Sequence, residues 1–309
     1  MRRFIRPLLI LGLLGAAAAW FLSAPQPVIA QSEFAGLESG GDAARGRIIF
    51  HAGGCAACHA TPEQDDRLKL GGGRALPSPF GTFYAPNISP DVKDGIGAWK
   101  AGDLVNAMQR GVSPQGAHYY PAFPFTTYQR AKTEDIRDLM VFLRTLAPVA
   151  GKARGHDLPF PFTIRRTLGL WKLLFFEGRG LEPAPGAPDW QRGRYLVEGL
   201  GHCGECHTPR NFLGGTDNSR RLAGGPNPEG KGMVPNITPD PSGLAAWSAK
   251  DIIEVLTTGF TPDYDSVGGA MAAVVRNTAE LPEADRAAMA AYLRSLPPLA
   301  SAAKAKKAE

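Results

Sequence analysis

Apolar residues recur with a helical period in six short segments, and these fall into two similar sets of three. Each set begins with a helix predicted at 42–52 or 190–200. A middle helix follows Trp99 or Trp247, and an amphipathic helix at 133–146 or 282–296 closes the set. The segments between them are rich in glycine and proline, with 37 Gly and 27 Pro in the chain. This pattern predicts an all-α fold of short helices joined by long loops.

The N-terminal segment has a different pattern. Residues 7–24 contain no charge and follow Arg2, Arg3 and Arg6, which predicts export with the basic end left in the cytoplasm. The apolar run is long for a signal peptide and just long enough to span a bilayer. We favour a retained anchor because Trp20 and Phe21 are typical of a membrane interface, although cleavage after Ala30 stays open. Both outcomes place the remaining chain on the periplasmic side of the inner membrane.

All four cysteines lie in two C-x-x-C-H motifs, at 55–59 and 203–207. This spacing is typical of c-type haem attachment, in which two thiols bind one porphyrin and the adjoining histidine ligates its iron. Zinc sites and thioredoxin-type motifs do not require a histidine directly after the second cysteine. A disulfide would leave both histidines without a role. The motifs therefore predict two covalently bound haem c groups, held by Cys55 and Cys58 and by Cys203 and Cys206, with His59 and His207 as iron ligands.

The chain is an internal repeat. Cys55 and Cys203 are 148 positions apart, and the same separation relates His59 to His207 and Trp99 to Trp247. At 309 residues the chain has room for two domains of ordinary size. We predict an N-terminal anchor or signal peptide at 1–30, haem domains at 40–148 and 190–298, a linker or strap at 149–189, and a basic tail at 299–309. The net charge of +5 lies mostly at the two ends, so no nucleic-acid surface is indicated.

Several runs resemble known c-type cytochromes. Residues 85–88 and 234–237 resemble a segment of mitochondrial-type cytochromes c. Residues 40–297 as a whole resemble the cytochrome c subunits of membrane-associated bacterial alcohol and sugar dehydrogenases, with the closest runs at 79–88, 120–125 and 206–211. The resemblance implies two tandem cytochrome c domains. It also implies that the carbonyls of Pro86 and Pro235 accept a hydrogen bond from the ligand histidines, and that Trp99 and Trp247 bind haem propionates or simply fill the core.

The second axial ligands are predicted to differ between the copies. Met271 precedes the last helix, on a loop where this fold places its methionine ligand, and His/Met ligation raises the reduction potential. The equivalent position of the first copy is Phe123, which cannot bind iron. His118 is our first candidate for that site, with a locally hydrogen-bonded surface histidine as the alternative. Met108 on the middle helix is the second candidate, although its spacing favours the core, and Met140 has the spacing of a core residue. His156 and His202 have no supporting spacing.

These patterns predict an exported, membrane-anchored dihaem cytochrome that passes single electrons from a periplasmic dehydrogenase to a soluble cytochrome c or a terminal oxidase. The segment 148–189 is too apolar for a solvated linker, and we expect it to strap the two domains or to dock on a partner or bilayer. The rival is a dihaem enzyme, peroxidase-like or thiosulfate-oxidising, that uses an open first haem. A third class is a sensor whose open haem binds a small gas molecule, and such a sensor would normally have an output domain.

Overall fold

The computed structural model of the protein describes residues 2–301, so most of the predicted basic tail lies outside the described residues. The first helix, α1, spans Arg2–Leu22. Among the described residues, no helix combines the length and apolarity needed to cross a bilayer. A short 3₁₀ helix, Gln31–Leu37, then leads into the first domain.

The first domain contains five helices and one β-hairpin. Its elements are α2 (Ala43–Ala52), α3 (Cys55–His59), β1 (Ala75–Ser78), β2 (Gly81–Tyr84), α4 (Ala101–Arg110), α5 (Phe125–Tyr128) and α6 (Thr133–Arg144). The helix predicted at 42–52 begins one residue later because Asp42 is its N-cap and accepts a hydrogen bond from the Arg45 N–H at 2.9 Å. A separate helix, α7 (Thr167–Phe175), lies in the joining segment.

The second domain repeats this order. Its elements are α8 (Pro188–Tyr195), which continues as a π-helical turn over Leu196–Leu200, then α9 (Cys203–His207), β3 (Gly225–Pro226), β4 (Met233–Val234), α10 (Ala249–Thr258), α11 (Gly269–Thr278) and α12 (Glu283–Ser295). All six predicted helices are therefore confirmed. The all-α prediction missed the two hairpins, β1–β2 and β3–β4, which are antiparallel pairs inside the Gly/Pro-rich loops. Gly81, at φ 117°, permits the tight turn of the first hairpin.

The first and last helices of each domain cross at a glycine. A Cβ on Gly46 would lie 2.0 Å from the Asp138 carbonyl oxygen, and one on Gly193 would lie 2.0 Å from that of Ala288. An ion pair accompanies each crossing, Arg45 with Asp138 and Arg192 with Asp285, both at 2.7 Å. Only glycine allows the two backbones to approach this closely. The same kind of helix crossing therefore stabilises both domains.

The two domains share one continuous hydrophobic core. The one-turn helix α5 of the first domain packs against the π-helical turn of the second. Its counterpart α11 packs against α2 and α3 of the first domain. Each domain thus places the segment before its last helix against the helices around the other domain's haem motif.

Candidate haem sites

Each C-x-x-C-H motif folds as a single helical turn. In α3 and α9 the two cysteines stand three positions apart, which brings their sulfur atoms to one face of the turn. A left-handed residue begins each turn: Gly54 at φ 59° and His202 at φ 41°. All four thiols are free, so neither motif is a disulfide. Within residues 2–301 no three His, Cys, Asp or Glu side chains converge on a common metal position.

The two motif histidines make the same hydrogen bond. The Nδ1 atoms of His59 and His207 lie 2.8 Å from the carbonyl oxygens of Pro86 and Pro235, respectively. Because a carbonyl can only accept, Nδ1 holds the proton and Nε2 is left as a lone-pair donor, as an iron ligand must be. Burial lowers the pKa of both imidazoles, against a smaller opposing effect of the proline carbonyls. Both rings are thus held neutral, in one tautomer and in a fixed orientation.

The thiols also suit covalent attachment to an apolar group. Burial raises the pKa of Cys55 and Cys203 to about 12 and that of Cys206 to about 11, and it raises the pKa of Cys58. These sulfur atoms therefore lie in low-polarity surroundings, which match a porphyrin edge. Free neutral thiols beside an oriented imidazole fit haem c at both motifs. Such a haem, when bound, supplies one-electron chemistry at its iron.

Phe123 belongs to an aromatic cluster. Its ring centroid lies 5.7 Å from that of Tyr119 and 5.7 Å from that of Tyr128. The hydroxyl of Tyr128 donates to the carbonyl of Gly53, next to the first motif, at 2.8 Å. Burial raises the pKa of Tyr119 to about 12. The position equivalent to Met271 is therefore filled by rings that stay neutral and offer no iron ligand.

Met271 is half-buried against the shared core, in the first turn of α11. Its predicted location on a loop is wrong. The helix begins at Gly269, after the N-cap residue Gly268, and the alanines at 270, 272 and 273 favour helix, so the chain becomes helical before it reaches the last helix. Its assignment as an iron ligand stays a prediction.

His118 is buried between the N-terminal segment and the joining segment. Its Nε2 donates to the Ser23 carbonyl at 2.9 Å, and its own carbonyl accepts from Arg165 Nη1 at 2.9 Å. Its Nδ1 is buried without a hydrogen-bond partner, and burial lowers its pKa. The predicted alternative of a surface histidine is wrong because the side chain is only 3% exposed. Its assignment as an iron ligand stays a prediction.

The other candidate residues lie in or beside the core. Met108 and Met140 are buried within α4 and α6, as predicted. The Nδ1 of His156 accepts from the Tyr84 N–H at 3.1 Å. Trp99 and Trp247 are half-buried and pack against the core, and their binding of haem propionates stays a prediction.

Comparison with known proteins agrees with this geometry. The family model for cytochrome c matches residues 43–147 and 191–297. The chain belongs to the cytochrome c family. It is 54% identical over 300 residues to a diheme cytochrome c-type protein of Cereibacter sphaeroides, with 96% of this chain and 99% of the relative covered. The prediction of two covalent haem c groups, at Cys55/Cys58 and Cys203/Cys206, is confirmed.

Relatives with more specific names are longer than this cytochrome. It is 41% identical over 257 residues to the fructose dehydrogenase cytochrome subunit of Gluconobacter japonicus, with 82% of this chain and 52% of the relative covered. It is 36% identical over 266 residues to the alcohol dehydrogenase (quinone) cytochrome c subunit of Komagataeibacter europaeus, with 82% and 56% covered. The chain thus spans about half the length of these subunits. The predicted resemblance to dehydrogenase cytochrome subunits is confirmed.

The two haem motifs of this cytochrome lie against each other. The Nε2 of His202 is 3.3 Å from the Gly53 carbonyl, and the His202 ring meets the Tyr128 ring edge-on at 5.5 Å. On the same side, Arg74 pairs with Glu229 at 3.1 Å. Gly53, two residues before the first motif, and His202, directly before the second, are therefore in contact.

The sequence interpretation missed Glu205 of the second motif and found no role for His202, directly before that motif. Both residues face the first domain. One signal could have identified them. The equivalent positions in the first copy are Ala57 and Gly54, so two of the three differences between the motif regions fall at positions that meet the other domain. Tyr128 gave no such signal because its neighbours are distant in the sequence.

Proposed function

We propose that this chain is an exported electron-transfer cytochrome that receives single electrons from a periplasmic dehydrogenase and passes them to a cytochrome c or a terminal oxidase. The observation that supports this most strongly is the direct contact between the two haem motifs, through Gly53, His202 and Tyr128. Two one-electron carriers held side by side in one core can exchange electrons without a domain motion. The names of the dehydrogenase relatives support the choice of donor.

We further propose that the N-terminus holds the cytochrome at the membrane. The end of α1 packs on α7, where the guanidinium of Arg166 stacks over the Trp20 ring at 4.3 Å and its Nε donates to Ser23 Oγ at 3.0 Å. Further along α7, Leu173 and Leu174 are 58% and 69% exposed. A basic, aromatic and apolar surface of this kind suits the interfacial region of a bilayer. The proposed anchor and the joining segment would then lie on the same side of the molecule.

Spectroelectrochemical titration tests the electron-transfer role. We expect two one-electron waves from the purified protein, and one wave each from variants in which Cys55 and Cys58, or Cys203 and Cys206, are replaced by alanine. Rapid reduction of one haem followed by redistribution to the other, within one molecule and independent of protein concentration, would support the relay. Two haems that equilibrate only through collisions between molecules would contradict it.

The catalytic alternative, a peroxidase-like or thiosulfate-oxidising enzyme, has one observation in its favour. Phe123 occupies the position where the second copy has Met271, which leaves the first iron without that ligand. The ferric spectrum of the purified protein distinguishes the two functions. A ferric spectrum that is unchanged by peroxide or cyanide supports electron transfer, whereas a high-spin component that shifts with either reagent supports the enzyme.

A further inference from the structure

Glu205 lies between the two thiols of the second motif, yet its carboxylate faces the other domain. The residue is only 9% exposed. Its Oε1 accepts from Thr126 Oγ1 at 2.8 Å and also from Thr127 Oγ1, both in the first domain. Its Oε2 pairs with Arg210 Nη2 at 2.5 Å. A buried carboxylate with three charge-assisted hydrogen bonds remains ionised and is held tightly in place.

The threonines that bind Glu205 belong to α5, which begins two residues after Phe123. The opposite end of α5 is held by the bond from the Tyr128 hydroxyl to the Gly53 carbonyl. The segment that replaces the methionine-bearing helix of the second copy is thus attached at one end to the second motif and at the other to the first. Movement of α5 would displace the Phe123 ring.

This contact has no counterpart in the second domain. The counterpart helix α11 also packs on a motif helix, α3. However, the residue of α3 equivalent to Glu205 is Ala57, whose methyl group can neither accept a hydrogen bond nor provide a charge. The second motif therefore makes a charged contact with the first domain, whereas the first motif makes no equivalent contact through Ala57 with the second domain.

We propose that Glu205 is a positioning residue that fixes the Phe123 segment beside the first haem and that, as a buried anion, lowers the reduction potential of the second haem. The inference rests on the proposed electron-transfer function. A fixed negative charge in a low-dielectric interior stabilises the ferric over the ferrous state because the ferric haem has one more positive charge. Its removal leaves Arg210 uncompensated, which changes the potential in the same direction.

The first test replaces Glu205 with glutamine, which keeps the shape and an acceptor oxygen but removes the charge. We expect the oxidised-to-reduced ratio of the second haem at a given potential to fall about tenfold, equivalent to a rise of about 59 mV for a one-electron couple. Glu205→Asp, which keeps the charge, should leave most of the lowering in place. Glu254→Gln is the matched control because Glu254 is an exposed carboxylate of the same domain that also accepts from a threonine, Thr258, at 3.1 Å.

The second test separates positioning from charge. In a Thr126→Val and Thr127→Val double variant the carboxylate and Arg210 remain, so the potential of the second haem should change by less than half as much as in Glu205→Gln. The magnetic circular dichroism of the first ferric haem should change in the threonine variant, because the Phe123 segment loses its attachment, and should change less in Glu205→Gln, whose remaining Oε1 can still accept from both threonines. Each haem is assigned with the two single-haem variants.

The proposal is overturned if Glu205→Gln, with both haems attached, leaves the potential of the second haem as it is in Glu254→Gln, or if the Thr126→Val and Thr127→Val double variant leaves the spectrum of the first haem unchanged. It is also overturned if the threonine variant shifts the second potential as much as Glu205→Gln does. These measurements compare variants at equilibrium. A failure of the electron-transfer proposal would instead be seen in the unsubstituted protein, as slow exchange between its haems.

Discussion

The two haem domains have the same structure around the C-x-x-C-H motif and its histidine. They differ in the segment that precedes the last helix, where the second axial ligand is predicted. Both form the same histidine-to-proline bond at 2.8 Å. In both, an asparagine two residues before a buried hydroxyl binds the segment after the last helix, Asn87 to the Val149 carbonyl and Asn236 to that of Leu299, each at 2.7 Å. The helix before the last one differs: α5 is a single turn beginning after Phe123, whereas α11 includes Met271. Covalent haem attachment requires the same geometry at both motifs. The segment before the last helix is not under that requirement and has diverged between the two copies.

The joining segment adds a second difference. Lys172 of α7 donates to the carbonyls of Arg110 at 2.5 Å and Gly111 at 2.9 Å, at the C-terminal end of α4. Its ammonium lies 4.5 Å from the centre of the Phe125 ring. A cation at the C-terminus of a helix is stabilised by the helix dipole. The joining segment is thus tied to the first domain near the residues that replace the methionine helix, and its role as a strap across both domains stays a prediction.

Exchange of the two residues at the equivalent position should have the largest effect. Met271→Phe should remove the predicted sulfur ligand from the second haem, lower its potential and give a high-spin ferric component. Phe123→Met should raise the potential of the first haem, and each shift should exceed the 59 mV that corresponds to a tenfold change for one electron. Potentiometric titration with magnetic circular dichroism measures both. A Met271→Phe variant with an unchanged ferric spectrum would show that Met271 packs and does not ligate.

A methyl group at either helix crossing should weaken the fold of both copies alike. Gly46→Ala and Gly193→Ala each place a Cβ 2.0 Å from a backbone oxygen, and overpacking of this kind costs about 1–3 kcal/mol of unfolding free energy. Guanidinium unfolding followed by far-ultraviolet circular dichroism measures the loss. Gly155→Ala, which has no heavy atom within 4 Å of the new Cβ, is the control. A loss at one crossing alone would show that the copies do not share this element.

The strap should give the first domain a pH dependence. Burial lowers the pKa of Lys172 from 10.5 to about 7, with Arg110 contributing in the same direction. Between pH 7 and 10.5 the unfolded chain therefore binds more protons at this group than the folded chain does, so the free energy of unfolding rises with pH across that window. Lys172→Met should reduce this rise, as measured by denaturant unfolding at about pH 7 and about pH 9.5. An equal rise in both proteins would assign the dependence to other groups.

Replacement of His118 should have the smallest spectroscopic effect. Its Nε2 is already bonded to the Ser23 carbonyl, so we expect His118→Ala to keep the ferric spectrum of the first haem while hydrogen exchange increases near Ser23. Magnetic circular dichroism and exchange mass spectrometry measure the two effects. Loss of a low-spin signal from the first haem would instead establish His118 as its ligand, through Nδ1.

The sequence by itself determined the parts of the fold that depend on neighbours along the chain. The haem content and the helices were predicted from the C-x-x-C-H spacing, the 148-residue repeat and the helix periodicity. Haem attachment and helix packing both depend on the spacing of residues that are close in the sequence. The offset also identified Phe123 as the equivalent of Met271. The helix around Met271 was missed because its glycines and alanines have no clear apolar period.

Only the tertiary structure decided which residues of one domain meet the other. Glu205 of the second domain reaches Thr126 and Thr127 of the first across a sequence separation of nearly 80 positions. Such contacts depend on how two complete domains dock, and docking is set by the shapes of whole surfaces. The periodicity of a single segment contains no information about the surface on which another segment will rest.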